Sequence, residues 1–206
     1  MKIYDFEGFP NPARVRIALA EKGATDKVEF IKVDIPAGDG NKPEFLAKSP
    51  HGTVPCLELE CGTCVTECTA ITEYIDGAFD GTPLTGSSPK EKAIVHMMQR
   101  RAEQGVLDAA TDYFHHATPG LGPDLEKNQN KAWGESRRNS AVDGMRYFDT
   151  VLANSQYVAG DNFSMADITL FAGLGFAGFA EIAIPAELKN LTAWQGRMSS
   201  RPSMAG

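Results

Sequence analysis

The chain has 206 residues, 42% of them hydrophobic, and a formal net charge of −7. Its length allows one large core or two modest ones, so two domains are expected. Because no cluster of Lys and Arg offsets the acidic balance, nucleic acid and anionic membrane surfaces are excluded as partners, and a small-molecule ligand is favoured. No apolar signal stretch precedes the first strand pattern, so the expected location is cytoplasmic.

Residues 1–79 predict an α/β domain. The predicted elements are a strand (2–6), a helix (11–22), a strand (28–35), a short helical turn (43–48), a hairpin opened by Pro55 and a helix from about Cys68 to Ala78. For the first helix, Asn11 is predicted as N-cap, Pro12 as first helical residue and Gly23 as the residue just past the end. The resulting order, βαβ then ββα, is thioredoxin-like.

Residues 80–89 predict a linker, since Gly, Pro and Ser are concentrated there. From residue 90 to 206 the pattern predicts an all-helical domain, with helices over about 90–116 and 129–153. Ser164 and Asp167 form a capping signature before the apolar run from Ile168 to Ile184. That run is short for a membrane span and carries Glu181, so it predicts a buried central helix.

Val54-Pro55 follows a turn at Gly52 and precedes an alternating strand pattern. Pro55 therefore opens a strand whose first amide is already missing, a position where a cis bond is tolerated. The amide and carbonyl of Val54 would then be left to bind an extended backbone as an added strand. A peptide-like ligand is expected here.

Glu67 and Cys68 begin the helical pattern that contains Ile71 and Ile75. The free amides and positive dipole end of this helix favour a carboxylate, and Glu67 is suited to pair with an amine. Taken singly, Pro55 reads as a turn residue and Glu67 as a dipole partner. Their ordered spacing instead predicts a site for a small zwitterionic peptide.

The four cysteines are confined to residues 56–68, and Cys61 and Cys64 have C-x-x-C spacing. No second pair or His follows at ligand distance, and the motif falls in a hairpin turn rather than at a helix start. No metal site is predicted.

The chain resembles the cytosolic glutathione S-transferases over residues 2–202. The resemblance rests on Arg14-Val-Arg-Ile-Ala-Leu, Pro43-Glu-Phe-Leu, Thr53-Val-Pro, Glu67-Cys and Ser164-Met-Ala-Asp, which resemble the first two helices, the cis-proline turn, the acidic-plus-hydroxyl pair and the capping box of that family. The stretches Glu67-Cys-Thr-Ala-Ile-Thr-Glu-Tyr-Ile and Tyr113-Phe-His-His-Ala-Thr-Pro-Gly-Leu-Gly-Pro are similar to a Gtt2-like fungal and bacterial branch.

The resemblance implies glutathione as co-substrate, bound by the backbone of Val54 beside Pro55 and by Glu67 and Cys68. Two positions depart from the family pattern: Cys68 stands where Ser is usual, and Gly40-Asn41 stands where basic residues hold the glycyl carboxylate. Lys42 is a substitute for the latter, while His51 and Asn11 are further polar contacts or simply turn and cap residues. A homodimer is implied as well.

A transferase must stabilise the glutathione thiolate, since a thiol has a pKa near 8.5. The turn before the first helix lacks the Tyr, Ser or Cys that most of the family uses, and Tyr4 lies within the strand. The resemblance to the Gtt2-like branch implies a water held by a hydroxyl residue and a His. Thr111 matches the hydroxyl; we choose His115, four residues on, over His116. An ordinary amphipathic helix end explains both residues equally well.

The sequence thus predicts a transferase that conjugates glutathione to a small hydrophobic electrophile, which the helical domain helps to bind. Phe9 either lines the electrophile pocket or crowds the sulfur, and Tyr113, Phe114 and Phe176 are pocket or core residues. Two alternatives remain: a glutathione-dependent thiol reductase that uses Cys68, and a non-catalytic protein that binds glutathione or another ligand.

Overall fold

A computed structural model describes residues 1–204. The chain divides into two compact units, unit 1 from Met1 to Leu84 and unit 2 from Thr85 onward. The division falls inside residues 80–89, for which the sequence predicts a linker. Within residues 1–204, no helix combines the length and the apolar character that crossing a membrane requires.

Unit 1 is built on a four-stranded sheet of order β2-β1-β3-β4. Its strands are β1 (Lys2–Asp5), β2 (Glu29–Lys32), β3 (Cys56–Glu58) and β4 (Cys64–Thr66), and its helices are α1 (Pro10–Glu21), α2 (Pro43–Leu46) and α3 (Cys68–Ala78). β1 pairs in parallel with β2 and antiparallel with β3, and β3 pairs antiparallel with β4. The predicted thioredoxin-like order is confirmed, although β2 is shorter than the predicted 28–35.

The first helix does not begin as predicted. Phe9 is the N-cap, with no side-chain cap bond, and Pro10 is the first helical residue. The Asn11 cap was wrong because a second proline, two residues earlier than Pro12, already has the φ that a helix needs. The end is as predicted: Gly23 has φ +59, and the amide of Ala24 reaches the carbonyl of Leu19 at 2.8 Å.

A buried ion pair ties the end of α1 to α3 and to the segment after it. Lys22 Nζ lies 2.9 Å from Asp76 Oδ1, and these side chains are only 3% and 8% exposed. The same carboxylate oxygen accepts the amide of Leu84 at 2.9 Å, and Leu84 is fully buried. Leu84, inside the predicted linker, is therefore packed as part of unit 1.

Unit 2 is helical, as predicted. Its elements are α4 (Pro89–Ala102), a π-helical turn (Glu103–Leu107), α5 (Asp108–Ala117), α6 (Lys131–Leu152), α7 (Met165–Phe179), α8 (Lys189–Ser199) and a short 3-10 turn (Pro202–Met204). The sequence analysis missed α8, although its buried residues Leu191, Trp194 and Met198 have helical spacing. It also missed the π turn, which no local pattern announces.

Helix α6 packs closely on the π turn and on α5 because it has glycines at the points of contact. A Cβ on Gly144 would collide with the carbonyl of Gly105 in the π turn. A Cβ on Gly134 would collide with Ala117 in α5. The α5–α6 pair is thus held at a spacing that larger side chains would widen.

The start of α7 is closed by its own side chains. Ser164 is the N-cap, and the predicted capping box with Asp167 is present. Asp167 is fully buried and accepts hydrogen bonds from the amides of Val158 and Ser164 and from Trp194 Nε1, at 2.9, 3.0 and 3.2 Å. Burial raises the pKa of this carboxyl to about 6, even though each hydrogen bond lowers it.

Candidate functional site

Three chain turns meet at one end of the unit 1 sheet. Cys56 is paired with Thr66 on one side and with Tyr4 on the other. Because β3 runs antiparallel to both neighbours, its start lies beside the ends of β1 and β4. Val54 and Pro55 are therefore brought next to Glu67 and Cys68, as the predicted site requires.

The Val54 turn presents an unused stretch of backbone. The Val54-Pro55 peptide bond is cis, as expected. Ser49, fully buried, fixes the turn: its hydroxyl donates to the carbonyl of Thr53 at 2.9 Å. Within residues 1–204, neither the amide nor the carbonyl of Val54 has a hydrogen bond. An extended peptide backbone is the chemical partner that both groups fit.

The start of α3 is open in a way that the start of α7 is not. Glu67, its N-cap, has φ +70, makes no side-chain cap bond and is exposed. The amides of Thr69 and Ala70 have no hydrogen bond to residues 1–204. These donors and the helix dipole favour a carboxylate, while the exposed carboxylate of Glu67 is available to an ammonium group.

Cys68 faces inward at this helix start. It is 7% exposed, and its Sγ donates to the carbonyl of Asn11 at 3.4 Å. Asn11 Oδ1 also accepts from Arg14 at 2.9 Å. Asn11 therefore joins α1 to α3 rather than capping α1, and a buried thiol is poorly placed for attack on a disulfide.

The start of α1 has few free N–H groups that could donate a hydrogen bond to the glutathione sulfur. Pro10 and Pro12 have no N–H, and the amide of Ala13 donates to the carbonyl of Phe9 at 3.0 Å. Only the Asn11 amide is left without a partner within residues 1–204. Phe9 itself packs edge-on against Phe6, with ring centroids 4.7 Å apart, beside the apolar cluster that contains Val54.

The Tyr4 hydroxyl is hydrogen-bonded to Glu58. Its hydroxyl donates to Glu58 Oε2 at 2.6 Å, and Lys48 Nζ donates to the same oxygen at 2.8 Å. Burial, and next the hydrogen bond to Glu58, raise the pKa of Tyr4. Tyr4 is therefore a structural strand residue and is not placed to stabilise a thiolate.

Lys42, predicted for the glycyl carboxylate, and His51, predicted as a further polar contact or a turn residue, lie on exposed loops. Lys42 Nζ is 2.6 Å from Asp39 Oδ1, and this hydrogen bond raises the pKa of the lysine. His51 is exposed in the turn that leads to Gly52. The loops are held together where Gly40 touches the carbonyl of Gly52, a contact that leaves no room for a Cβ on Gly40.

The remaining cysteines form no metal centre. Cys61 is exposed, and a hydrogen bond with Thr63 lowers the pKa of its thiol. Cys56 is buried, and burial raises the pKa of its thiol to about 12. No group of three or more His, Cys, Asp or Glu suited to a metal ion is found in residues 1–204.

In unit 2, Thr111 lines a surface cavity of about 540 Å³. Its hydroxyl donates to the carbonyl of Asp108 at 3.0 Å, which leaves the oxygen as an acceptor. The other lining residues are Gln104, Asp108, Asp112, Trp133 and Arg137. His115 is not among them, so the structure does not by itself bring the two predicted catalytic side chains into contact.

The two neighbouring histidines are held differently. His115 Nδ1 lies 2.6 Å from Glu126 Oε1, and because a carboxylate only accepts, Nδ1 carries the proton and Nε2 is the acceptor. His116 Nδ1 instead accepts the amide of Asn130 at 3.0 Å, so the proton of a neutral His116 is on Nε2. Of the two histidines, His115 is therefore the better candidate for a base, because its Nε2 is an acceptor while the acceptor nitrogen of His116 is occupied by the Asn130 amide. Sequence reasoning missed Glu126, eleven residues away in a loop.

An aromatic cluster lies next to His115. Phe114 contacts the imidazole edge-on, with ring centroids 5.1 Å apart, and lies 5.4 Å from Phe176 and 5.7 Å from Phe179. Phe179 is 70% exposed. Phe114 and Phe176, which the sequence singles out as pocket or core residues, are thus in contact, and Phe179, which it does not single out, joins them. Tyr113 lies instead under Arg138 on α6.

Both units match known protein families. Residues 10–78 match the family described as glutathione S-transferase, N-terminal domain, and residues 115–202 match glutathione S-transferase, C-terminal domain. Glutathione S-transferase 2 of Saccharomyces cerevisiae is 58% identical over 99% of this chain and 88% of that protein.

Two solved structures are similar over nearly the whole chain. Gtt2 from Saccharomyces cerevisiae has a TM-score of 0.97 at 57% identity, covering 100% of this chain and 99% of that one. A class Gtt2 glutathione S-transferase of Vibrio parahaemolyticus has a TM-score of 0.84 at 33% identity, covering 99% and 95%. The chain belongs to the glutathione S-transferase family, and within it to the Gtt2-like branch.

Proposed function

We propose that this protein is an enzyme that binds glutathione as co-substrate, stabilises its thiolate and conjugates it to hydrophobic electrophiles. The observation that carries the proposal is the pairing of an unused Val54 backbone with the open start of α3. The cysteinyl backbone of glutathione would bond to Val54 as an added strand. Its γ-glutamyl carboxylate would lie on the α3 amides, and its ammonium on Glu67.

The glycyl end is assigned to the loops that carry Lys42 and His51. Asp39 holds Lys42, so the lysine contributes as half of an ion pair and its share of the affinity is small. Pro55, Cys68 and Asn11 act by shaping the site: Pro55 sets the Val54 turn, and Cys68 and Asn11 lock α3 against α1.

For the thiolate, we assign the proton transfer to Thr111 and His115. Lowering a thiol pKa by about two units takes roughly 2.7 kcal/mol. The α1 start and Tyr4 do not supply this, because a single free amide and a committed hydroxyl remain there. The thiol S–H bond breaks, its proton passes to a water held by the Thr111 oxygen, and that water passes a proton to His115 Nε2.

The apolar substrate is assigned to the cluster of Phe114, Phe176 and Phe179. Phe179 is exposed and contacts Phe114 and Phe176, so the cluster offers aromatic faces that suit planar electrophiles. From the family we also propose a homodimer, a cytoplasmic location and a role in detoxification. Residues 1–79 are assigned to glutathione and residues 90–206 to the electrophile.

The test is the ultraviolet absorbance of bound glutathione thiolate as pH is varied, in the native protein and in Thr111→Ala and His115→Ala. We expect a thiolate at neutral pH in the native protein and its loss in both variants, while the Kd for glutathione stays within about twofold. His116→Ala is the matched control and should keep the thiolate. A native complex that stays a thiol at neutral pH would support the non-catalytic binder instead.

A further inference from the structure

Glu126 is held against His115 by the loop between α5 and α6. Its Oε1 lies 2.6 Å from His115 Nδ1 and 2.9 Å from the amide nitrogen of Leu121. The Glu126 side chain is 12% exposed, whereas the His115 side chain is 41% exposed. The carboxylate is therefore the more buried partner of the pair, and the imidazole is the more exposed one.

The loop is built to keep the carboxylate there. Gly120 has φ +55, and a Cβ at that position would collide with the Glu126 side chain. Thr118 Oγ1 donates to the carbonyl of Phe114 at 2.6 Å and accepts the amide of Gly120 at 3.0 Å. Gln129 Nε2 donates to the carbonyls of His115 and Thr118, at 2.8 and 2.6 Å. The loop is thus folded back onto the end of α5.

We propose that Glu126 is a positioning residue that holds His115 in the Nδ1–H tautomer, so that Nε2 accepts the proton released from glutathione. This inference rests on the proposed function. A carboxylate on the remote nitrogen fixes the ring and stabilises the imidazolium that forms. When the proton reaches Nε2, the positive ring faces the negative carboxylate, and the proton then leaves to solvent.

The surroundings of His115 leave this role to Glu126. On α5, Asp112 is paired with Arg137 Nε at 2.8 Å and His116 with the Asn130 amide. The groups that α7 brings to the neighbouring Phe114 are Phe176 and Phe179, which carry no charge. Within residues 1–204, the carboxylate bonded to the His115 ring is that of Glu126.

The experiment uses the full chain with Glu126→Gln, which keeps an oxygen for the Leu121 amide but removes the charge. Asp124→Asn is the matched control, since Asp124 is an exposed acid of the same loop. We expect kcat/KM for an aryl halide electrophile to fall by about 10- to 100-fold in Glu126→Gln, with the KM for glutathione within about twofold. Asp124→Asn should match the native enzyme.

A second readout does not depend on turnover. In native protein labelled with nitrogen-15 at histidine, the neutral His115 ring should carry its proton on Nδ1, and Glu126→Gln should shift its two ring resonances. A neutral native His115 protonated on Nε2 would overturn the inference. So would native turnover in Glu126→Gln while His115→Ala is inactive, whereas full activity in His115→Ala would instead overturn the proposed water mechanism.

Discussion

The starts of α3 and α7 carry related sequence signals, an acidic residue within three positions of a small polar one, yet the two helix starts differ in how their free amides are bonded. At α7, Ser164 and Asp167 use their side chains to bond the amides of their own chain turn. At α3, Glu67 bonds none of its own amides and takes a backbone conformation with φ +70. A helix start that satisfies itself is structural, and one left open at some conformational cost is a place for a ligand.

Of the substitutions that test this comparison, Asp167→Ala is expected to have the largest effect on stability. The change leaves four buried donors without their acceptor: the amides of Val158 and Ser164, the hydroxyl of Ser164 and the indole of Trp194. We expect the free energy of unfolding to fall by about 3–5 kcal/mol. Chemical denaturation at neutral pH measures it, with exposed Asp161→Ala as control. A loss close to that of the control would show that the closed start is not structural.

The pH dependence of stability should follow the same carboxyl. Its pKa is raised from 3.8 unfolded to about 6 folded, so its stabilising contribution is full below about pH 4 and is lost as pH rises through about 6. The difference is about 3 kcal/mol. Unfolding curves at a series of pH values, native against Asp167→Asn, isolate this part. Parallel curves for the two proteins would contradict the assignment.

At the open start of α3, the substitution Glu67→Gly should raise the free energy of unfolding, whereas Asp167→Ala at α7 should lower it. Glycine adopts positive φ freely, so relief of strain, less the greater entropy of an unfolded glycine, should raise the unfolding free energy by up to about 1 kcal/mol. Binding of glutathione should weaken, because the partner of its ammonium is gone. Glu181→Gly is the matched control, since Glu181, with φ +60, is the other non-glycine residue with positive φ within residues 1–204.

Calorimetry with glutathione measures both variants. Weaker binding in Glu67→Gly alone would agree with a strained ligand-binding residue. Equal binding in both variants would mean that Glu67 is only a backbone feature.

The smallest effect is expected from Cys68→Ser. A hydroxyl can donate to the Asn11 carbonyl as the thiol does, so stability and glutathione affinity should change by less than about 1 kcal/mol. Conjugation assays on both proteins test this. A variant that binds glutathione but loses turnover would turn the assignment toward thiol reductase chemistry, with Cys68 as nucleophile.

What could be predicted from the sequence is what short spacings determine. The bounds of α3 and the α7 capping box follow from residues within a few positions of one another, and both are confirmed. The cis Val54-Pro55 bond, which the local sequence tolerates and the family resemblance implies, is also present. The open site at the end of the sheet also follows, because strand order brings its two parts together. Its ligand contacts stay predictions.

What could not be predicted depends on distant partners. Asn11 is turned toward Cys68, 57 positions away, and no cap rule contains that contact. Glu126 reaches His115 only because Gly120 leaves room for it and Thr118 and Gln129 fold the loop back. The π turn depends on the fit between Gly105 and Gly144. Such features need the packed chain, since each side chain alone reads as an ordinary loop or helix residue.

The hydrogen bond between the Leu84 amide and Asp76 also limits where residues can be inserted into the chain. On its C-terminal side the amide of Ser87 donates to Glu91 Oε2 at 2.9 Å. An insertion before Leu84 would pull a buried residue from its place, and one after Ser87 would break the cap of α4. The segment from Leu84 to Ser87 is therefore a poor place for length variation or for a grafted tag, because both of its ends are held by hydrogen bonds.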